Sequence, residues 1–279
     1  MDRFNFLFDS IVNLALEEDI AEGDISTNYI VPTNTEATAT IKVKAVEGII
    51  SGLDVAYNVF KRLDENIDWT PFFKDGDKVK KDDILVEIKG NYAALLTGER
   101  TALNFMQRMS GIATKTNAFV KKLEDTNVKI LDTRKTVPGL RVLDKIAVKH
   151  GGGENHRIGL YDMVMLKDNH IKIAGSITKA VNTVKKNVPL SIKIEVETST
   201  LEEVFEALHA GADIIMLDNM SNDMMSKAVT IVNGKAKTEA SGNMTIDRLE
   251  EVAKTGVDYI SVGELTHSVA ALDLSMNFN

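Results

Sequence analysis

Six short apolar runs, each followed by a segment with helical spacing, constrain this chain more than any other feature. They are VKIL (128–131) before Leu140–Lys149, MVML (163–166) before Ile177–Lys186, and IKIEVE (192–197) before Leu201–Ala210. The series continues with DIIML (213–217) before Asn222–Val232, KTEA (237–240) before Ile246–Thr255, and DYISV (258–262) before Leu265–Asp273. Runs that are apolar throughout, rather than alternating, belong to strands covered on both faces, and the intervening helices provide the cover. The expected fold class is therefore α/β with a parallel sheet. Six units at this spacing predict a barrel of the TIM type that stops short of eight units, with a doubly wound open sheet as the alternative.

The chain before this series reads differently. Asn5–Asp19 carries Phe8, Ile11, Val12, Ala15 and Leu16 at helical spacing and ends in an acidic turn, EEDIAEGDIST. TATIKVKAV alternates apolar and polar residues, which predicts a strand with one buried face. GIISG gives a second short strand, Leu53–Leu63 a helix, and Trp69–Phe73 an extended piece broken by Pro71. KDGDKVKKDDILVEIKG reads as a turn-rich antiparallel unit, so the residues up to Gly90 are expected to be α+β. From Asn91, apolar residues recur every three or four positions, predicting one long helix or two that meet near Ser110–Gly111.

The charge is distributed unevenly. Between Ile130 and Lys172 there are eight Lys and Arg against five acids, a local balance of +3 in a chain of formal charge -8. These cations do not fall on one helical face. They follow the apolar runs, in DTRKT, GGGENHR and LKDNH, where an α/β strand ends and its loop opens a pocket. Cations converging on a concave site bind a ligand with several negative charges. The acidic total argues against coating nucleic acid. No run of about 18 apolar residues predicts a membrane span, and the N-terminus lacks the pattern of a signal peptide. The chain has no cysteine, which excludes a disulfide framework and suits a reducing compartment, so a soluble cytoplasmic protein is expected.

Taken in order, the strand ends offer Asp132, Thr133, Arg134 and Lys135, then His156 and Arg157 before Lys167, Asp168, Asn169 and His170. Glu195 and Glu197 follow, then Asp218 and Asn219, then Ser241, Gly242 and Asn243, and last Gly263, Glu264, Thr266 and His267. The late Gly-containing turns can offer backbone N–H groups to a phosphate. Glu197 and Asp218 can hold Mg²⁺ or ribose hydroxyls. The Arg, Lys and His set can clamp carboxylates or pyrophosphate. Plainer readings stand beside these: a short Gly turn is often only a turn, a single carboxylate often caps a helix or pairs with a cation, His209 and Lys185–Lys186 read as solvated surface, and His150 reads as structural. The three glycines of GGGENHR and the lysine at 167 resist such readings, since glycine is costly in ordered backbone unless the conformation requires it.

DTRKTVPGLR, KHGGGENHR and MLKDNHI together resemble the quinolinate phosphoribosyltransferase family. The likeness extends through EGDISTNYIVP, GERTALNFMQRMSGIAT, IEVET, IMLDNM, EASGN and GVDYISVGELTHSV, and so covers nearly the whole chain in order. The resemblance implies an N-terminal α+β sandwich domain (1–110) and an open, TIM-like α/β barrel carrying the chemistry (111–279), with the final ~10 residues returning to the first domain. It implies a homodimer with shared active sites, larger assemblies being left open. It also implies transfer of a phosphoribosyl group from phosphoribosyl pyrophosphate to quinolinate with loss of CO₂, with Mg²⁺ as cofactor. By matching motif, Arg134, His156, Arg157 and Lys167 would line the quinolinate site, and Arg100 would enter from the partner subunit. Lys135 would meet the pyrophosphate. Glu197 and Asp218 would face the ribose and Mg²⁺, directly or through intermediaries, and Ser241, Gly242, Gly263 and His267 would serve the 5′-phosphate. One departure is Asn243, where many members have a third glycine; Asn tolerates positive φ at modest cost.

Three other readings remain open on the residues alone. The chain could be a related transferase acting on nicotinate or another pyridine or pyrimidine acid. It could be a Schiff-base aldolase using Lys167, although the flanking cations exceed what one carbonyl needs. It could also be a non-catalytic anion-binding protein.

Overall fold

The computed structural model describes residues 3–278, and from Phe8 onward their side chains as well. Helix α1 (Arg3–Ile20) buries Phe8, Val12 and Leu16, the stripe that the spacing predicts. The acidic turn contains a short helix that was not expected, α2 (Ile25–Ile30), whose N-cap Asp24 accepts the Thr27 N–H at 3.0 Å. Next come β1 (Glu36–Val43), β2 (Glu47–Ile49), α3 (Leu53–Leu63), β3 (Asp68–Pro71), β4 (Lys78–Lys80) and β5 (Ile84–Asn91). In β1 the buried residues are Ala39, Ile41 and Val43, as the alternation requires. Trp69 of β3 packs on Tyr57 and Phe60 of α3, with ring centroids 5.7 and 6.3 Å away.

The KDGDKVKKDDILVEIKG segment does not close on itself. β4 pairs with β2, whereas β5 lies between β1 and β3. The reason is local: Asp82 turns the chain with φ +73°, and the end of β1 takes the hydrogen bonds there. Asp82 donates to the Val43 carbonyl and Val43 to that of Asp83, both at 3.0 Å.

Helix α4 (Tyr92–Lys121) runs unbroken through Ser110 and Gly111. Ser110 Oγ accepts the Ser51 N–H and donates to the Ser51 carbonyl, each at 3.0 Å. A Cβ on Gly111 would lie 2.2 Å from the Ala270 carbonyl oxygen, so the close passage of backbone explains this glycine, and no helix break is involved.

The βα series follows as β6 (Lys129–Leu131), α5 (Arg141–His150), β7 (Val164–Leu166), α6 (Asp168–Ala174), α7 (Ile177–Lys185), β8 (Ile194–Thr198), α8 (Leu201–Ala210) and β9 (Ile214–Asp218). It continues with α9 (Asn222–Val232), β10 (Lys237–Ser241), a 3₁₀ turn (Ile246–Arg248) leading into α10 (Leu249–Ala253), and β11 (Tyr259–Ser261). Short α6 lies where the sequence reads as the loop after the strand. The strands are all parallel, in the order β6-β11-β10-β9-β8-β7. Sequential neighbours with the first strand bonded to the last is barrel order; a doubly wound sheet would reverse direction partway. The ring is open between β6 and β7, where Glu154 adds a single bridge to Leu131.

Two compact units result, and they are not continuous in sequence. The first comprises residues up to Asn117, Thr136–Gly152 and the chain from Leu265; the second comprises Ala118–Lys135 and Gly153–Glu264. Helix α5 joins the first because Arg108 of α4 holds its Asp144 through two hydrogen bonds, 2.9 and 2.8 Å, and because the Gly151 backbone abuts Ala113. The expected helix over Leu265–Asp273 is only α11 (Glu264–His267). Beyond it the backbone is held by α4: Lys115 donates to the Ser268 carbonyl and the Leu272 N–H to that of Gln107. The chain then forms β12 (Leu274–Phe278), antiparallel to β1, in the sheet β12-β1-β5-β3.

Asp144 is wholly buried, and burial raises its pKa despite Arg108. Replacing it with Ala leaves a guanidinium in a site shaped for an ion pair. Asp144→Ala should lower unfolding stability by about 3 kcal/mol or more; urea denaturation showing a loss below about 1 kcal/mol would contradict this account.

Candidate active site

All six parallel strands deliver residues to one cavity of about 540 Å³, contained in the second unit. From the β6 side come Thr133, Arg134 and Lys135, and from the segment before β7 come His156 and Arg157. Met165 and Lys167 come from β7 and its end, Glu197 from β8, and Met216, Asp218 and Asn219 from β9. β10 and its loop give Glu239, Ser241, Gly242, Asn243 and Met244, and β11 gives Ser261 and Gly263. The expected residues Arg134, Lys135, His156, Arg157, Lys167, Glu197, Asp218, Ser241, Gly242, Asn243 and Gly263 are thus brought together. Arg100 and His267 are not among the lining residues. Arg100 is exposed on α4, and His267 on α11 has its Nδ1 2.7 Å from Ser268 Oγ. The plain readings of other residues fit: His209 stacks on Phe205, and His150 Nδ1 sits 2.8 Å from Ser51 Oγ.

The cationic wall is built from backbone anchors. Asp132, fully buried at the end of β6, accepts the His156 N–H at 2.8 Å and the Asn155 side-chain N–H at 2.7 Å. This ties GGGENHR to the barrel rim. Arg134 has its Nε buried without a hydrogen-bond partner, a donor left for something the chain does not supply. Among the described residues the Arg157 side chain reaches only the Met163 carbonyl (3.3 Å) and Met165 Sδ (3.5 Å), and its pKa is lowered by burial and by Arg134. Lys167 donates to Glu197 Oε2 at 2.7 Å, with its backbone N–H on His170 Nδ1 at 3.0 Å.

Opposite these, two loops interlock. The Asn219 amide donates to Asp218 Oδ2 at 2.8 Å and accepts from Asn243 Nδ2 at 3.3 Å. Arg248 holds the carbonyls of Gly242 (3.4 Å) and Asn243 (3.0 Å). Gly242 has φ +91°, and a Cβ there would come 2.2 Å from Asn219 Oδ1, so this loop needs glycine. Asn243 takes φ +51° in place of a third glycine.

Beneath the wall lies a group of which the sequence reading selects His156 and names Glu195 at a strand end, but not Glu239. Glu195 and Glu239, both 0 % exposed, approach His156 Nε2 at 2.9 and 3.4 Å. They sit in β8 and β10, alternate strands that contribute to the same layer of a barrel interior. The available signal was a glutamate inside IEV and inside TEA, where a parallel strand should be apolar. Burial and the neighbouring Glu239 push Glu195 up to about 7. Burial disfavours a charged His156, but the two carboxylates facing Nε2 outweigh it and push the ring up to about 10.

Both groups therefore bind protons more tightly in the folded chain. Their stabilising contribution is complete below their ordinary values, 4.5 for Glu195 and 6.5 for His156, and shrinks as pH rises through about 7 and about 10. The melting temperature should fall between about pH 6 and pH 9, and Glu195→Gln should flatten that fall. A wild-type profile that is level or rises over this range contradicts the assignment.

Comparison with known proteins agrees with this geometry. The family model for the quinolinate phosphoribosyl transferase N-terminal domain matches residues 24–110, and that for the C-terminal domain matches residues 112–277. The chain is 46% identical to a probable nicotinate-nucleotide pyrophosphorylase [carboxylating] of Bacillus subtilis over 267 residues, 96% of this chain and 92% of the relative. It superposes on the crystal structure of NadC from Streptococcus pyogenes with a TM-score of 0.95 at 41% identity, covering 100% and 99% of the two chains. The nicotinate-nucleotide pyrophosphorylase of Francisella tularensis gives 0.92 at 43% identity, covering 99% and 97%. With both domain models matched in order across one barrel and its antiparallel companion, the chain belongs to the quinolinate phosphoribosyltransferase family.

Proposed function

We propose that this cavity joins quinolinate to phosphoribosyl pyrophosphate, giving nicotinate mononucleotide, pyrophosphate and CO₂. The observation that carries the reading is the convergence of Arg134, Arg157 and Lys167 on one concave wall, with a buried Arg134 donor left unsatisfied. Two adjacent carboxylates on one ring offset the repulsion of such a set, which a singly charged acid does less well.

The pyridine nitrogen attacks the anomeric carbon of the ribose, and the bond to pyrophosphate breaks with its electron pair on the departing oxygen. Lys135, at the exposed rim beside Thr133, meets that leaving group. The bond from C2 to its carboxylate then breaks. Its electron pair stays on C2 next to the cationic ring nitrogen, CO₂ leaves, and C2 takes a proton from water. No side chain has to move a proton during the transfer, so positioning and electrostatics are what the protein contributes. Ser241, Gly242, Asn243 and Gly263 form the wall for the 5′-phosphate.

Mg²⁺ is part of this proposal. Glu197 and Asp218 end the neighbouring strands β8 and β9 at the cavity and offer hard carboxylate oxygens, the donor set for an ion shared with phosphates. When bound, Mg²⁺ supplies positive charge to the pyrophosphate group. A homodimer also belongs to the proposal: Arg100, exposed on α4, is the residue that would complete a partner's site, and Ile25, Tyr29 and Ile30 leave an apolar face on α2 for association. So does a cytoplasmic location, which suits an acidic chain without disulfides.

Release of labelled CO₂ from quinolinate, dependent on phosphoribosyl pyrophosphate, tests the reaction; nicotinate turned over more efficiently than quinolinate would refute it. Shared sites have their own test. Arg100→Ala and Arg134→Ala chains should each lose activity by roughly a hundredfold or more. Mixed dimers of the two should regain about a quarter to a half of wild-type activity, since one site would keep both arginines. No recovery in verified heterodimers excludes sharing.

A further inference from the structure

The His156–Glu195–Glu239 group is where the structure departs furthest from what a barrel core requires. Two carboxylates with no accessible surface face one imidazole, and none of their four oxygens has a well-aligned hydrogen-bond donor. Replacement by packed apolar side chains would be neutral or stabilising in most cores, so a fold that keeps such a group places a specific demand on it. Its position indicates the demand. Side chains two apart on a strand share a face, so Glu195 lies directly below Glu197, and Glu239 directly below Ser241; Glu197 and Ser241 both line the cavity. The group is therefore the layer on which the cavity stands.

Two links run upward from it. The first passes through His156: with Nε2 turned to the acids, the ring is seated with Nδ1 2.7 Å from the Arg157 backbone nitrogen, against the backbone that carries the Arg157 side chain. The second is electrostatic. Arg134 and Arg157 repel each other, Arg157 has only a carbonyl and a thioether as direct side-chain partners among the described residues, and Glu195 is the buried carboxylate whose charge favours its guanidinium. Without a ligand, something has to keep two guanidiniums together against their repulsion.

We propose that Glu195 and Glu239 are positioning residues that act through His156 to hold Arg134 and Arg157 in the arrangement that takes the substrate's carboxylates. The inference rests on the quinolinate reading above. It predicts a division between the substrates: the group governs the diacid and leaves phosphoribosyl pyrophosphate, held by other residues, unaffected.

The test uses full-length wild type, Glu195→Gln, Glu239→Gln and the conservative variants Glu195→Asp and Glu239→Asp, each assayed for both KM values, kcat, quinolinate affinity by calorimetry, and melting temperature. The Gln variants should raise the quinolinate KM and Kd by roughly ten- to a hundredfold. The KM for phosphoribosyl pyrophosphate and kcat at saturation should stay within about threefold, with a melting temperature unchanged or higher because the acids no longer oppose each other. The Asp variants should recover part of the quinolinate affinity, and if a Gln variant does not fold, the Asp variant at that position decides by the same KM. An unchanged quinolinate KM in a folded variant overturns the proposal. So does an equal rise in both KM values with a lowered melting temperature, which marks a merely structural role, or a divalent ion retained by the three side chains after chelation and dialysis. A wild-type protein that does not consume quinolinate refutes the functional reading instead, so the two failures are separable.

Discussion

Like charges gathered in one place are the central constraint on this molecule. A site able to hold an acid of two negative charges needs several cations within a few ångströms of one another, and in the empty state those cations repel. The structure answers with carboxylates at three depths. Glu197 pairs with Lys167 inside the cavity, the buried Glu195 favours the charge of Arg157, and Asp132 anchors the loop by its backbone. Among the described residues no acid pairs directly with Arg134 or Arg157, which keeps their donors available. Full pairing would give a more stable cavity and a poorer binding site, a trade common where function and stability compete.

The barrel makes this arrangement possible because its parallel strands all end on one side. Residues separated by a hundred positions, such as Arg134 and Ser241, reach the same cavity without any long excursion of the chain. The supporting contacts are mostly to backbone. Asp132 fixes the 155–157 segment, Arg248 fixes the 242–243 carbonyls, and His170 fixes the start of α6 beneath Lys167. Short helices and tight turns are thereby held rigid next to a wall that must not rearrange when ligands come and go.

Much of this was legible in the sequence because it follows from periodicity. The six strands of the βα series, the helices after the first five, the alternation over β1 and the position of α3 appear where spacing puts them, since burial on one face or two leaves a direct pattern. The strand-end rule then located the cavity residues. What escaped depends on distant partners. The end of the barrel series reads as helix through Asp273, but hydrogen bonds from α4 and a place beside β1 turn it into extended chain. The pairing of β4 with β2 in preference to β5 is likewise a long-range outcome. Glu239 was missed because one charged residue in a four-residue run looks like a weak strand; only its meeting with Glu195 and His156 shows that it faces inward. The roles expected of Arg100 and His267 rest on motif likeness alone, and neither residue is among those that line the cavity.

The placement of β12 bears on how the chain is made. Its partner β1 is synthesised more than two hundred residues earlier, from Glu36 to Val43, and waits with one edge unfilled while the whole barrel emerges from the ribosome. During that interval the flank of β1 is a bare strand edge of the kind that captures other nascent chains. The time taken to translate the segment between β1 and β12 therefore sets how long the vulnerable edge is exposed.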